Sequence, residues 1–191
     1  MEGVKTIRPR ITLIAAIGAA VVSAASIVSV VAAHNWAQLT GLLCTVGIID
    51  LIIWLLFIEP KIKYDTEGLV IINPLRIFRA DWAAVDKLDT RFGLAAVFGN
   101  KKFTAWSAPA PSRREVAKVS ARDFRGTPMD GDAFVEPGRI HYVESGKAFW
   151  LLEAVRNEST GQTRNVKTTP NWRGLASLVA IALLAYLNLH V

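Results

Sequence analysis

Apolar residues gather into three uninterrupted runs, at residues 11–33, 40–58 and 174–189, and between the last two the pattern changes to short alternating stretches. A helix rises about 1.5 Å per residue, so the first run crosses a hydrocarbon core of about 30 Å with slack and the second just crosses it. The third is short, and it is expected to be lengthened by Trp172 at the interface and by a snorkelling Arg173. The connection His34-Asn35-Trp36-Ala37-Gln38-Leu39 leaves room only for a tight helical hairpin. In the first run Ala15, Ala19, Ser23 and Ser26 recur at helical spacing, and Gly41 and Gly47 occur in the second. Small faces of this kind let helix backbones approach closely in lipid, either within the chain or against a helix of another subunit.

After Pro60 the chain reads as β-structure. Short runs at 62–65, 69–73, 76–82, 85–91, 94–98 and 103–106 are separated by turn signals, among them Thr66-Glu67-Gly68 and Gly99-Asn100. With no helix between them, they predict an antiparallel meander that curls into a small, partly open barrel. Residues 108–144 break the pattern with Pro109, Pro111, Pro128 and Pro137, and loops of such length are often functional. Ser145 is placed as the N-cap of a helix over 147–157, whose apolar face is Ala148, Leu151, Leu152 and Val155. Residues 161–171 are polar and read as a linker. The organisation is thus a helical hairpin at 1–58, a sheet domain at 59–160 closed by one helix, the linker, and a last helix at 172–191.

Charge orients this arrangement. All 22 Lys and Arg residues lie outside the three runs, and they flank only one end of each. By the positive-inside rule the N-terminus and the sheet domain are cytoplasmic and the C-terminus is outside, as in a multi-pass protein of the plasma membrane. The overall 52% hydrophobic content reflects the runs and says little about the domain. The domain's modest basic excess suits an anionic inner leaflet, and it lacks the dense basic stripe of a nucleic-acid binder. The first run exceeds the apolar core of a secretion signal, so it is read as a retained anchor. Cys44, the single cysteine, can form no internal disulfide and is read as a small apolar side chain in a helix.

Candidate chemistry is sparse. His34, His141 and His190 are dispersed, with no metal-ligand spacing, and no cofactor is expected. No phosphate-cradling loop, nucleophile elbow, HExxH or CxxC occurs, so the chain is read as no enzyme. Asp50 is the unusual residue. A carboxylate near the middle of a spanning helix opposes insertion by about 2.5–3.5 kcal/mol, so it must face protein or water. Its candidate partners are Ser23, Ser26 or Ser29 of the first run, or a group on another subunit. Arg113, Arg114, Lys118, Arg122 and Arg125 form a basic cluster that could lie on an anionic leaflet or against a partner.

Several stretches resemble a known family. Asp65-Thr66-Glu67-Gly68-Leu69-Val70-Ile71, Asn73-Pro74-Leu75-Arg76, Arg79-Ala80-Asp81-Trp82-Ala83-Ala84-Val85 and Arg91-Phe92-Gly93 are similar to the bacterial PH domain of the low-molecular-weight protein antigen 6 family. Phe103-Thr104-Ala105-Trp106 and Ser120-Ala121-Arg122-Asp123-Phe124 extend the likeness. The resemblance implies an actinobacterial, membrane-anchored PH-like domain, a fold more than a function. Phosphoinositide binding does not follow, because the Asp65–Gly68 turn is acidic where such domains place basic residues. The expectation is an accessory subunit that docks on other membrane proteins, with the actinobacterial respiratory cytochrome supercomplex as host by analogy. Recognition of anionic lipid by the cytoplasmic domain is the alternative, and proton conduction through Asp50 in an oligomer is a third.

Overall fold

The computed structural model describes residues 3–9, 11–112, 139–140, 143–159, 161 and 163–190. Among the described residues, three helices are long and apolar enough to cross a membrane. They are α1 (Ile11–Ala32), α2 (Trp36–Ile53), which continues into a π-helical turn (Trp54–Ile58), and α4 (Trp172–Leu189). The helix α3 (Glu144–Glu158) belongs to the sheet domain. The α1–α2 connection is a tight turn in which His34 takes a positive φ of 52°. α2 packs against both α1 and α4. Its glycines serve the second contact, since a Cβ on Gly47 would lie 3.1 Å from Leu184 Cδ1 and one on Gly41 3.5 Å from Asn188 Oδ1.

The domain is mostly antiparallel sheet. One five-stranded sheet has the order β1-β2-β3-β4-β8, with β1 Lys5–Ile7, β2 Lys61–Tyr64, β3 Gly68–Ile72, β4 Arg76–Asp81 and β8 Val166–Pro170. A three-stranded sheet is formed by β5 Lys87–Asp89, β6 Ala95–Phe98 and β7 Lys101–Thr104. Alternation decides which side chains turn inward: Ile62 and Tyr64 from β2, Leu69 and Ile71 from β3, Phe78 and Ala80 from β4 are buried. Phe78 joins the sheets, with its ring centroid 4.9 Å from that of Phe98 and 4.8 Å from that of Phe103. Ala148, Phe149 and Leu152 of α3 complete the core. The hairpin at Gly99, where φ is +52°, is the turn the sequence predicts.

Four expectations need correction. Among the described residues the strands form two sheets, and no barrel closes. Residues 166–170, read as linker, are an edge strand in register with β4, Arg76 opposite Pro170 and Ala80 opposite Val166. The sheet's other edge strand, β1, comes from the basic segment before the first apolar run. Ser145 does not cap α3: it lies buried inside the helix, which begins after Val143 without a side-chain cap. In addition, Trp82 leaves the β4 alternation for a 3₁₀ turn (Trp82–Ala84), where its Nε1 donates to the Asp65 carbonyl at 2.8 Å.

Candidate site at the junction of sheet and helices

Each long helix joins the same sheet. β1 leads into α1, the π-helical turn leads into β2, and β8 leads into α4 with only Asn171 between them. The basic-flanked ends of all three helices are therefore gathered on one side. Polar side chains are buried at this seam: Glu59 is 4% exposed, Lys61 9% and Asn171 1%.

Asn171 organises the seam. Its Nδ2 donates to the Asn73 carbonyl at 3.0 Å and to Glu59 Oε1 at 3.3 Å, while its Oδ1 caps α4 by accepting from the Gly174 N–H at 3.4 Å. Its main-chain N–H donates to the Leu75 carbonyl at 2.9 Å. Lys61 Nζ lies 3.6 Å from Glu59 Oε2, so the buried carboxylate faces one cation and one amide. Asn73 in turn links the sheets. Its Nδ2 donates to the Thr104 carbonyl at 2.8 Å, and its Oδ1 accepts from the Trp106 N–H at 2.9 Å. No side chain fits at Gly174, in the first turn of α4, because a Cβ there would run into the Pro74 carbonyl oxygen. A buried polar network satisfied in this way fixes one geometry, and any half-broken version of it is costly.

The π-helical turn belongs to the same seam. The Glu59 N–H reaches back to the Trp54 carbonyl at 2.9 Å, and the Phe57 carbonyl accepts from Thr12 Oγ1 of α1 at 2.9 Å. A π turn closes its hydrogen bond over five residues instead of four, and such single turns are frequent at functional sites.

Asp50 lies within α2 and has a partner in this chain. Ser23 Oγ lies 3.0 Å from both carboxylate oxygens. Ser26, another candidate, instead donates to the Val22 carbonyl on its own helix. Ala15, Ala19, Ser23 and Ser26 are all half-buried, and Ser23 ties this stripe to α2. The basic cluster Arg113, Arg114, Lys118, Arg122 and Arg125 lies outside the described residues, as does His141. Among the described residues, no three His, Cys, Asp or Glu side chains converge as a metal site would require.

Two carboxylates of the sheet domain titrate below their ordinary range. A hydrogen bond from Thr163 chiefly lowers Asp81, helped by the Asn165 backbone and side chain at 3.1 and 3.0 Å. Burial pushes Asp89 upward, but Lys102 at 2.7 Å and the Arg91 N–H together outweigh it. Burial raises the Tyr64 hydroxyl. The acidic turn of the sequence is structural, since Asp65 Oδ1 accepts from the N–H groups of Glu67 and Gly68 at 2.9 and 3.0 Å.

Sequence reasoning passed over the seam residues Glu59, Lys61, Asn73 and Asn171. One signal was present: Asn immediately before an apolar run is an N-cap pattern. Against family models, curated proteins and solved structures alike, the chain finds no match.

Proposed function

We propose that this chain is a non-enzymatic, membrane-anchored protein that serves as an accessory or assembly subunit of a larger membrane complex. Its sheet domain is read as PH-like, of the low-molecular-weight protein antigen 6 kind. The N-terminus and the domain are placed in the cytoplasm on the positive-inside rule. Gathering of the basic-flanked helix ends on one sheet supports that placement. The observation that carries the docking role is the outer face of α1. While one face meets α2, Gly18, Ala25 and Ser29 are exposed, and a Cβ on Gly18 would meet nothing within 4 Å. A face with small groups admits a second helix closely, and the rigid seam presents helices and domain to a partner as one surface. An actinobacterial respiratory cytochrome bc–oxidase supercomplex is the host this reading names first.

Extraction in mild detergent followed by affinity capture of the full chain and mass spectrometry tests the proposal. Stoichiometric recovery of other membrane subunits is expected, and Gly18→Leu should reduce it. Recovery of a lone, monomeric chain under several detergents would overturn it.

A further inference from the structure

Where the β3–β4 turn and β7 approach the π-helical turn and α4 lies an open cleft of about 610 Å³. Its floor is apolar, formed by Leu55, Leu56 and Leu178, while Arg76, Lys102 and Trp106 stand on the domain side. We propose that this cleft holds one anionic phospholipid, with its phosphate on Arg76 and Lys102 and the first methylenes of its acyl chains on the three leucines. The inference goes beyond the accessory role and does not depend on it.

Three observations select this occupant. First, the floor is continuous with surface that would lie in the bilayer: Leu178 is 40% exposed, and Val179 and Leu183 of α4 are more so. The cleft is too small for a whole phospholipid and suits a headgroup with the upper chain, whose tails then run along α4. Second, the charges match. Arg76 is exposed, and its planar fork pairs with two phosphate oxygens. Lys102 already gives one donor to Asp89 at 2.7 Å, but an ammonium has three. Third, Trp106 is 56% exposed, although its ring is large and apolar. An indole at that position serves the headgroup layer, where its body is apolar and its N–H is wet. Arg173 lies 5.9 Å over the Trp54 ring at the same end of the helices, which marks that level a second time. An apolar helix from a partner would cover the leucines and give the Arg76 guanidinium no anion, leaving Lys102 to Asp89 alone. A zwitterionic lipid would bring its own cation against them.

The test uses the full chain in a mild maltoside detergent, with phosphatidylglycerol or phosphatidylcholine added at equal concentration and thermal unfolding followed. Phosphatidylglycerol is expected to raise the midpoint by about 4 °C more than phosphatidylcholine does. Native mass spectrometry should show one retained phospholipid. Arg76→Gln, which leaves the Asp89–Lys102 pair intact, should remove at least half of the difference, and Arg76→Gln with Lys102→Gln should remove it. Lys101→Gln, next in sequence but outside the cleft, should leave the difference unchanged. Leu178→Trp, which fills the floor, should abolish the response while the chain remains folded. Equal shifts from the two lipids in the unsubstituted chain would overturn the assignment, as would a double variant that responds normally. A chain that responds to neither lipid would also overturn it and would point to a protein occupant.

Discussion

Asn171 and Asn73, 98 residues apart in the chain, are joined by a 3.0 Å hydrogen bond from the side-chain amide of the first to the main-chain carbonyl of the second. The same amide also reaches Glu59, so one side chain ties the start of the last long helix to the end of the second and to the turn between β3 and β4.

Substitution of Asn171 separates capping from this tie. Asp and Asn are equivalent N-caps, so Asn171→Asp would be nearly neutral if capping were its only role. Here Asp cannot donate, and it would place a second carboxylate beside Glu59. Asn171→Asp should therefore destabilise the chain by about 2 kcal/mol or more, and at least as much as Asn171→Ala. Thermal unfolding of the full chain in detergent at neutral pH measures this. A neutral Asp variant would reduce Asn171 to a cap.

Gly174 and Gly18 both sit in long apolar helices and should respond in opposite ways to alanine. At Gly174 the methyl would be driven into the Pro74 carbonyl, and backbone on both sides must move. Loss of about 2–4 kcal/mol is expected, together with new protease cleavage at the seam. At Gly18 the methyl enters open space, and helix propensity favours Ala by about 1 kcal/mol. Parallel melting of the two variants decides the matter.

Asp50 should prove dispensable for the fold. A serine–carboxylate hydrogen bond between membrane helices contributes about 0.6–1.7 kcal/mol, whereas a carboxylate at mid-helix opposes insertion by about 2.5–3.5 kcal/mol. The second magnitude is the larger, so Asp50→Leu should raise thermal stability, and Ser23→Ala should lower it slightly. Because Asp50 is bonded within the chain, neither variant should change the co-purification expected under the proposed accessory role. Loss of a subunit with Asp50→Leu alone would mean that the carboxylate also contacts a partner.

Acid should weaken the sheet domain through Asp81 and Asp89. Both are held below their ordinary values in the folded chain, so they bind protons less readily there than when unfolded. The stabilisation they give is complete above the unfolded value of about 3.9 and is lost as pH falls through the folded ones. The unfolding midpoint should drop below about pH 4, and it should drop less in Asp81→Asn with Asp89→Asn. A double variant with the same acid profile would remove these two groups from the account.

The long helices were legible because length and apolarity alone specify them, and the largest displaced end is the start of α2, where the polar Gln38 sits inside the helix. Core strands were legible for a similar reason, since Leu69, Ile71 and Phe78 alternate with outward residues. Both edge strands were not. Lys5-Thr6-Ile7 and Val166-Lys167-Thr168-Thr169-Pro170 bury almost nothing, so no apolar periodicity betrays them, and edge positions tolerate Lys and Pro. The carboxylate–serine pair was readable as a short set of alternatives, because a charge in a membrane helix demands a partner. The seam was not readable, since Glu59, Asn73 and Asn171 meet only when distant segments close on one another.

The order of the strands has a consequence for biogenesis. β8 completes the sheet, yet among the described strands it is made last, and it is followed at once by α4. During synthesis the sheet must wait with the edge of β4 open, while the first two helices are already placed. Closure of the sheet and insertion of the last helix then become a single event, and a chain whose last helix fails to insert exposes an unpaired strand edge. Such an edge is a template for pairing with another chain, so a copy left in that state is open to aggregation.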